Sequence, residues 1–177
     1  MTYSIAKLKT FQGMEGEGYN CDLLLDGNKI AFCIDDACGG PVHVQWTDRM
    51  AAPAFDAFLE EIYGPDQMEA DGCWVGRQVN IVSNVTRTSR LTGSQVLFIT
   101  EVGSTDIFQI KRDKRYPISA YVDHIMKKHG HGAIVLNTLT PAAKKAIITA
   151  SVIADVDEAE AETQAMIDKY KLIRAAK

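Results

Sequence analysis

Two runs near the start of the chain hold residue types from which ligand sites are commonly built. Gly13-Met14-Glu15-Gly16-Glu17-Gly18 sets three glycines around two carboxylates, and Asp35-Asp36 places two carboxylates side by side before Gly39-Gly40-Pro41. The glycine spacing is G-x-x-G-x-G, not the dinucleotide fingerprint G-x-G-x-x-G. A strand pattern follows it, so no helix N-terminus is on offer to a phosphate. Glu15 and Glu17 would also repel an anion, so the run reads as a wide β-connection using positive φ at its glycines. The Asp35-Asp36 pair could hold a divalent metal or share a proton. Neighbours on a strand point to opposite faces, however, and Asp readily starts a turn by accepting from its own backbone. The turn is the favoured reading.

Cys33, Cys38 and His43 carry enough thiolate and imidazole to suggest zinc, with Cys21 and Cys73 elsewhere. Their spacing is not that of a zinc knuckle, and unpaired cysteine is usually a buried apolar residue. His129-Gly130-His131 offers two imidazoles, which is too few for a site. No metal ligand set, cofactor or catalytic residue is assigned: G-x-S-x-G, the P-loop and H-E-x-x-H are all missing. The single basic cluster, Lys111, Arg112, Lys114 and Arg115, could meet a phosphate backbone. The chain lacks an RNA-binding aromatic signature, which disfavours nucleic acid as a partner.

The surroundings of these residues are those of an ordinary globular protein. The 177 residues suffice for one core without disulfides or a structural metal. No apolar run approaches the about 20 residues of a membrane span, and the first residues do not read as a signal peptide. A cytoplasmic setting with reduced thiols is expected. Net charge is −4 but unevenly placed: residues 1–72 hold four Lys/Arg against thirteen Asp/Glu, while 86–130 hold eight against four. Such an imbalance speaks to partners rather than to fold.

The elements that position these residues can be read from their patterning. Alternation over 3–9 predicts a strand, and apolar runs at 19–25 and 29–35 flank Asp26-Gly27-Asn28, the strongest hairpin signal in the chain. A turn at 37–41 leads to a strand at 42–46, completing a four-stranded meander. Phe55, Phe58, Leu59 and Ile62 repeat at helical spacing up to Gly64-Pro65. Residues 75–91 fit either state and lean to helix. A second hairpin is expected at 96–100 and 106–111, then a helix opened by Pro117 at its first position and ending at His129, and a short strand at 133–136. Two helices close the chain, one from Pro141 to about 151 and one over 158–177. The expected class is α+β: antiparallel meander and hairpins packed against several helices, a single domain (1–154) with a C-terminal helical segment (155–177).

The stretch from Leu8-Lys9-Thr10-Phe11-Gln12 through Gly18-Tyr19-Asn20, Asp26-Gly27-Asn28-Lys29, Ile34-Asp35-Asp36-Ala37, Gly39-Gly40 and Trp46 resembles small uncharacterised proteins of bacteriophages, prophages and plasmids. Tyr116-Pro117 and Lys128-His129-Gly130 are similar to their later part. Cysteine at 21, 33 and 38 and the added C-terminal helix depart from that pattern. The resemblance implies a mobile-element setting; those proteins have no established activity, so it carries over no site residue.

Two functions are expected from these observations. The first is a non-catalytic protein-interaction accessory of a phage or mobile element that binds and inhibits a host (defence) protein. Its contact would be an acidic edge of Glu15, Glu17, Asp22, Asp26, Asp35 and Asp36, imitating nucleic-acid phosphates toward a basic groove. The alternative is a small-molecule or nucleotide-handling enzyme, metal-dependent through Asp35 or Asp36, with its site where the 13–18 and 36–40 loops meet. A stripe of Met166, Ile167, Tyr170 and Ile173 could pair copies of the chain as a homo-oligomer.

Overall fold

The structure, a computed structural model, describes residues 1–175, with side chains described through residue 169. Among the described residues it has the α+β architecture expected, with two antiparallel sheets and four α-helices, the last at the C-terminal end. The chain divides into two compact units, residues 1–80 and 81–177. Among the described residues no helix is long and apolar enough to cross a membrane.

Unit 1 is built on a meander of β1 (Tyr3–Gln12), β2 (Glu17–Leu25), β3 (Asn28–Asp35) and β4 (His43–Trp46), each paired antiparallel with the next. The Asp-Gly signal is met: Leu25 pairs with Asn28, leaving Asp26 (φ 48°) and Gly27 (φ 83°) as a two-residue turn. Two positive φ values there match the right-handed twist of the flanking strands. Period-two alternation puts Tyr19, Cys21 and Leu23 of β2 on the face that also takes Ala31 and Cys33 of β3. Helices α1 (Ala52–Tyr63) and α2 (Ala70–Leu91) cover this face with Phe55, Leu59, Trp74, Val75 and Val79. An aromatic knot forms there: Phe55 lies 4.9 Å from Tyr3, 5.5 Å from Trp74 and 5.9 Å from Trp46, ring centre to ring centre. Tilted and edge-on contacts of this kind add to the stabilisation from burial.

Unit 2 contains a three-stranded sheet in the order β6-β5-β7, of β5 (Gln95–Ile99), β6 (Phe108–Lys111) and β7 (Ile134–Val135). The central strand β5 is apolar at every position after its first and buried on both faces. Leu97 and Ile99 pack with Ile81 and Val85 of α2 and with Ile148, Val152 and Val156 of α4 (Pro141–Ala175). Val96 and Phe98 pack with Ile125 of α3 (Ile118–His129). The doubtful segment at 75–91 is helical because Val75, Val79, Ile81 and Val85 each find a buried partner surface, which outweighs their β-branched preference for strand.

Two expectations need correction. Pro117 is the N-cap of α3 and not its first residue. The two closing helices are one 35-residue helix, α4, running unbroken through 151–158 and past position 154. No proline or glycine interrupts that stretch, and Val152 and Val156 continue the buried stripe begun by Ile148. Beyond Val156 the described side chains of α4 are exposed, Met166 and Ile167 among them. Tyr170 and Ile173, the remainder of the expected apolar stripe, lie outside the described side chains.

Candidate functional site

At the end of the unit 1 sheet where β1 and β3 finish and β2 and β4 begin, the glycine-rich run and the Asp35-Asp36 turn come together. Gln12 pairs with Glu17, so only residues 13–16 form the connection, which is a tight hairpin loop and not a wide one. Gly13 N–H donates to Gly16 O at 2.8 Å, and the Gln12 side-chain amide donates to the same oxygen at 2.9 Å. Glu15 N–H donates across to Ala37 O at 2.8 Å. The two loops are hydrogen-bonded to each other.

Close approach explains the glycine at position 13. A Cβ there would stand 2.5 Å from Ala37 Cβ and 2.7 Å from Asp36 O, so any side chain would push the loops apart. Positive φ, expected from sequence for the glycines of 13–18, occurs there at Gly16 (φ 154°), and in the neighbouring turn at Gly39 (φ 77°), over which the Glu15 carboxylate lies. The two aspartates act as the turn reading requires. Asp35 Oδ1 accepts from Ala37 N–H at 2.8 Å, and Asp36 Oδ1 accepts from Cys38 N–H at 3.0 Å. Each carboxylate is thereby tied to its own turn through one oxygen.

The six residues expected to share an acidic edge divide three ways. Glu15, Glu17, Asp35 and Asp36 do gather at this sheet end. Asp26 belongs to the hairpin tip at the opposite end, where its Oδ1 accepts from Thr2 N–H at 2.8 Å. Asp22 is no part of an edge: it is only 5% exposed, mid-strand in β2. Lys29 Nζ stands 2.5 Å from one of its oxygens and Lys7 Nζ 2.9 Å from the other. Those two ammonium groups, Lys29 first, hold the Asp22 carboxyl below its ordinary range. A bulge between Ala6 and Lys9, with Lys7 at φ 52°, interrupts the β1–β2 register beside this ion pair.

Other acids, which local patterning gave no reason to group, extend the cluster. The last turns of α1 and the first turn of α2 enclose an open cavity of about 440 Å³ whose lining includes Asp56, Glu60, Glu69 and Asp71. This groove adjoins the loop pair: a Cβ on Gly72 would lie 3.4 Å from Val42, the residue before β4. Tyr19, the strand partner of Asp35, is buried, and its hydroxyl has no hydrogen-bond partner among the described residues. Burial pushes that hydroxyl far above its ordinary pKa, with the Asp35 and Asp71 charges adding to the effect. No lysine or arginine occurs in 10–28, 30–48 or 50–76, the stretches that form this end. Fields from the carboxylates therefore add with little cancellation.

The metal ligands imagined from sequence do not converge. Cys33 is fully buried on the helix-covered face, opposite Cys21, while His43 pairs with Ile34 on the other face. Cys38 and Cys73 are exposed. Among the described residues no three His, Cys, Asp or Glu side chains stand close enough to share an ion. In unit 2 the basic cluster forms the loop between β6 and α3, where Arg115 forks the Asp113 carboxylate at 2.6 Å. Comparison with protein-family models, with characterised proteins and with solved structures finds no match for this chain.

Proposed function

We propose that the protein works by binding, with the acidic end of unit 1 docking onto a basic surface of a partner protein and blocking it. The reading rests on one observation: the 13–16 loop and the 36–40 turn are hydrogen-bonded together, which gathers Glu15, Glu17, Asp35 and Asp36 at one sheet end, with the Asp35 and Asp36 carboxylates held by backbone N–H groups. Preorganised acceptors lose little entropy when they meet arginine or lysine, and the surrounding acidic field speeds encounter. In the mobile-element setting that the sequence resemblance implies, the partner is a host protein. The contact residues differ from those first expected. Asp22 and Asp26 drop out, and Glu60, Glu69 and Asp71 enter beside the loops.

The test is affinity capture from nuclease-treated bacterial lysate, comparing two variants with the same change in charge. Glu15→Lys, Glu17→Lys and Asp36→Lys together should abolish recovery of a stoichiometric protein. Glu101→Lys, Glu158→Lys and Glu162→Lys, three exposed positions of unit 2, should leave recovery unchanged. Loss with both variants would reduce the effect to net charge, and retention with the first would remove this surface from the interaction.

A further inference from the structure

We infer that unit 2 carries a nucleotide-binding pocket, taking a nucleobase between the β6–α3 loop and α3 and its phosphate on the adjoining basic residues. The pocket is an open cavity of about 330 Å³ lined by Ile110, Asp113, Tyr116, Ala120, Tyr121 and His124. Three of these six carry flat π-systems, and Tyr116 is 56% exposed. A half-exposed tyrosine ring at the mouth of a small cavity is a stacking platform, since every base has a π-face to offer.

The pocket's floor is set by hydrogen bonds that the fold requires anyway. Tyr121 belongs to the face of α3 that, with Ile125, packs against Val96 and Phe98, and its hydroxyl accepts from Asp113 N–H at 2.6 Å. That bond ties the loop to the helix and holds the Asp113 carboxylate at the rim. Ala120, with no bulk past Cβ, leaves the space between Tyr116 and His124 open. Both oxygens of the Asp113 carboxylate accept from Arg115, and their remaining lone pairs are what it offers to the ring N–H and exocyclic amino groups of a base.

Charge selects the rest of the ligand. Lys111, Arg112 and Lys114 stand in the same loop, and Lys127 and Lys128 lie three and four residues beyond His124 on α3, on the same side of the helix. Arg115 is engaged by Asp113. Arg112, between Lys111 and Asp113 in the chain, has its Nε buried without a hydrogen-bond partner among the described residues. Its guanidinium adds to the positive charge of the loop, and a phosphate is the group whose charge suits it. Stacking surface, an acceptor for base N–H groups and flanking cations together describe a nucleotide. Its source is either a free mononucleotide or one residue of a single strand.

The test uses the full chain with two probes, thymidine monophosphate and a short fluorescein-labelled oligothymidylate, at low salt. Binding of the labelled strand is read by anisotropy, and the monophosphate by competition and calorimetry. Tyr116→Ala should weaken binding by about 5- to 100-fold while leaving the salt dependence of the strand unchanged, and Tyr116→Phe should retain it. Lys111→Ala with Lys114→Ala should lower the salt slope by about 0.7 for each phosphate that is no longer neutralised. Tyr116-dependent binding of the monophosphate identifies a free nucleotide as sufficient, and Tyr116-dependent binding of the strand alone identifies single-stranded nucleic acid. Strand binding indifferent to Tyr116→Ala is plain electrostatics and overturns the pocket, as does failure of both probes to bind. Because Tyr116 is exposed, its variants keep the fold, which an unchanged melting curve verifies.

Discussion

Unit 1 and unit 2 solve the same packing problem in different ways, and their surfaces diverge accordingly. Each packs an antiparallel sheet against helices. Unit 1 covers one sheet face with α1 and α2, and its core is aromatic, with Tyr3, Phe55, Phe58 and Trp74 in mutual contact. Unit 2 covers both faces of β5, and its core is mainly aliphatic. Thirteen acids meet five lysines and arginines in residues 1–80, whereas ten meet fourteen in residues 81–177. A near-neutral total thus conceals two opposed fields. Net charge of the whole chain is a poor guide to its partners, because each unit presents its own field at close range.

The largest effect that would separate the two cores is expected at Phe55. Its side chain is fully buried and touches the rings of Tyr3, Trp46, Phe58 and Trp74. Phe55→Ala should cost about 3–5 kcal/mol through reduced burial and the cavity left behind. Both tryptophans of the chain, Trp46 and Trp74, lie in unit 1, so their fluorescence in a urea titration reads this destabilisation directly. A change under about 1 kcal/mol would mean that the aromatic knot relaxes around the gap and is not the organising core of unit 1.

Unit 2 depends on a polar staple where unit 1 depends on rings. Asn137 Oδ1 accepts from Leu97 N–H at 2.8 Å, and its amide donates to Thr92 O at 3.0 Å and Gln95 O at 2.9 Å. One side chain therefore satisfies three backbone groups at the start of the central strand. Asn137→Ala should cost about 2–3 kcal/mol, because it leaves partly buried donors and acceptors unmet. Amide exchange at Leu97 is the local readout and should accelerate more than exchange elsewhere in β5. Equal protection of Leu97 in the parent and the variant would show that water replaces the side chain without penalty.

These two positions also mark what could be read in advance. Phe55 belongs to a helical repeat with Phe58 and Leu59, and strand alternation together with the Asp-Gly turn revealed the meander, because local periodicity decides those features. Asn137 gave no signal: a lone asparagine between Leu136 and Thr138 looks like any loop residue, and its partners are 40 to 45 positions away in sequence. The same limit governs the candidate sites. The meeting of the 13–18 and 36–40 loops was legible, since adjacent hairpins place their ends together. Glu60, Glu69 and Asp71 joined the acidic end only through helix packing. Asp22 was misplaced because strand alternation gives a residue's face but not the lysines that cover it. Lys7 and Lys29 come from the strand on either side, one of them beside a bulge that no pattern announced. The pocket beside the basic cluster was hidden likewise: Tyr121 and His124 reach it from α3, and a helical repeat does not say which loop packs beside it.

The smallest expected effect sharpens the contrast between the acids of unit 1 that stabilise the fold and those left for a partner. Asp22 is paired with two lysines and lies below its ordinary pKa, whereas Glu15 and Glu17 have no part in the core. A carboxyl whose folded pKa is depressed contributes stability above its unfolded pKa of about 4 and loses it as pH falls through the lower folded value. Asp22→Asn should therefore cost about 1 kcal/mol near neutral pH, a modest amount because Lys7 and Lys29 can turn to solvent once released. The gap between parent and variant should stay constant from neutral pH down to about 5 and close below about 4. Glu15→Gln and Glu17→Gln, measured by the same urea titrations near neutral pH, should change stability by less than about 0.5 kcal/mol, since neither side chain joins the core. If all three variants cost the same near neutral pH, the paired carboxylate of the strand and the open carboxylates of the loop are energetically equivalent. The division of the acidic cluster into a structural member and contact members would then fail.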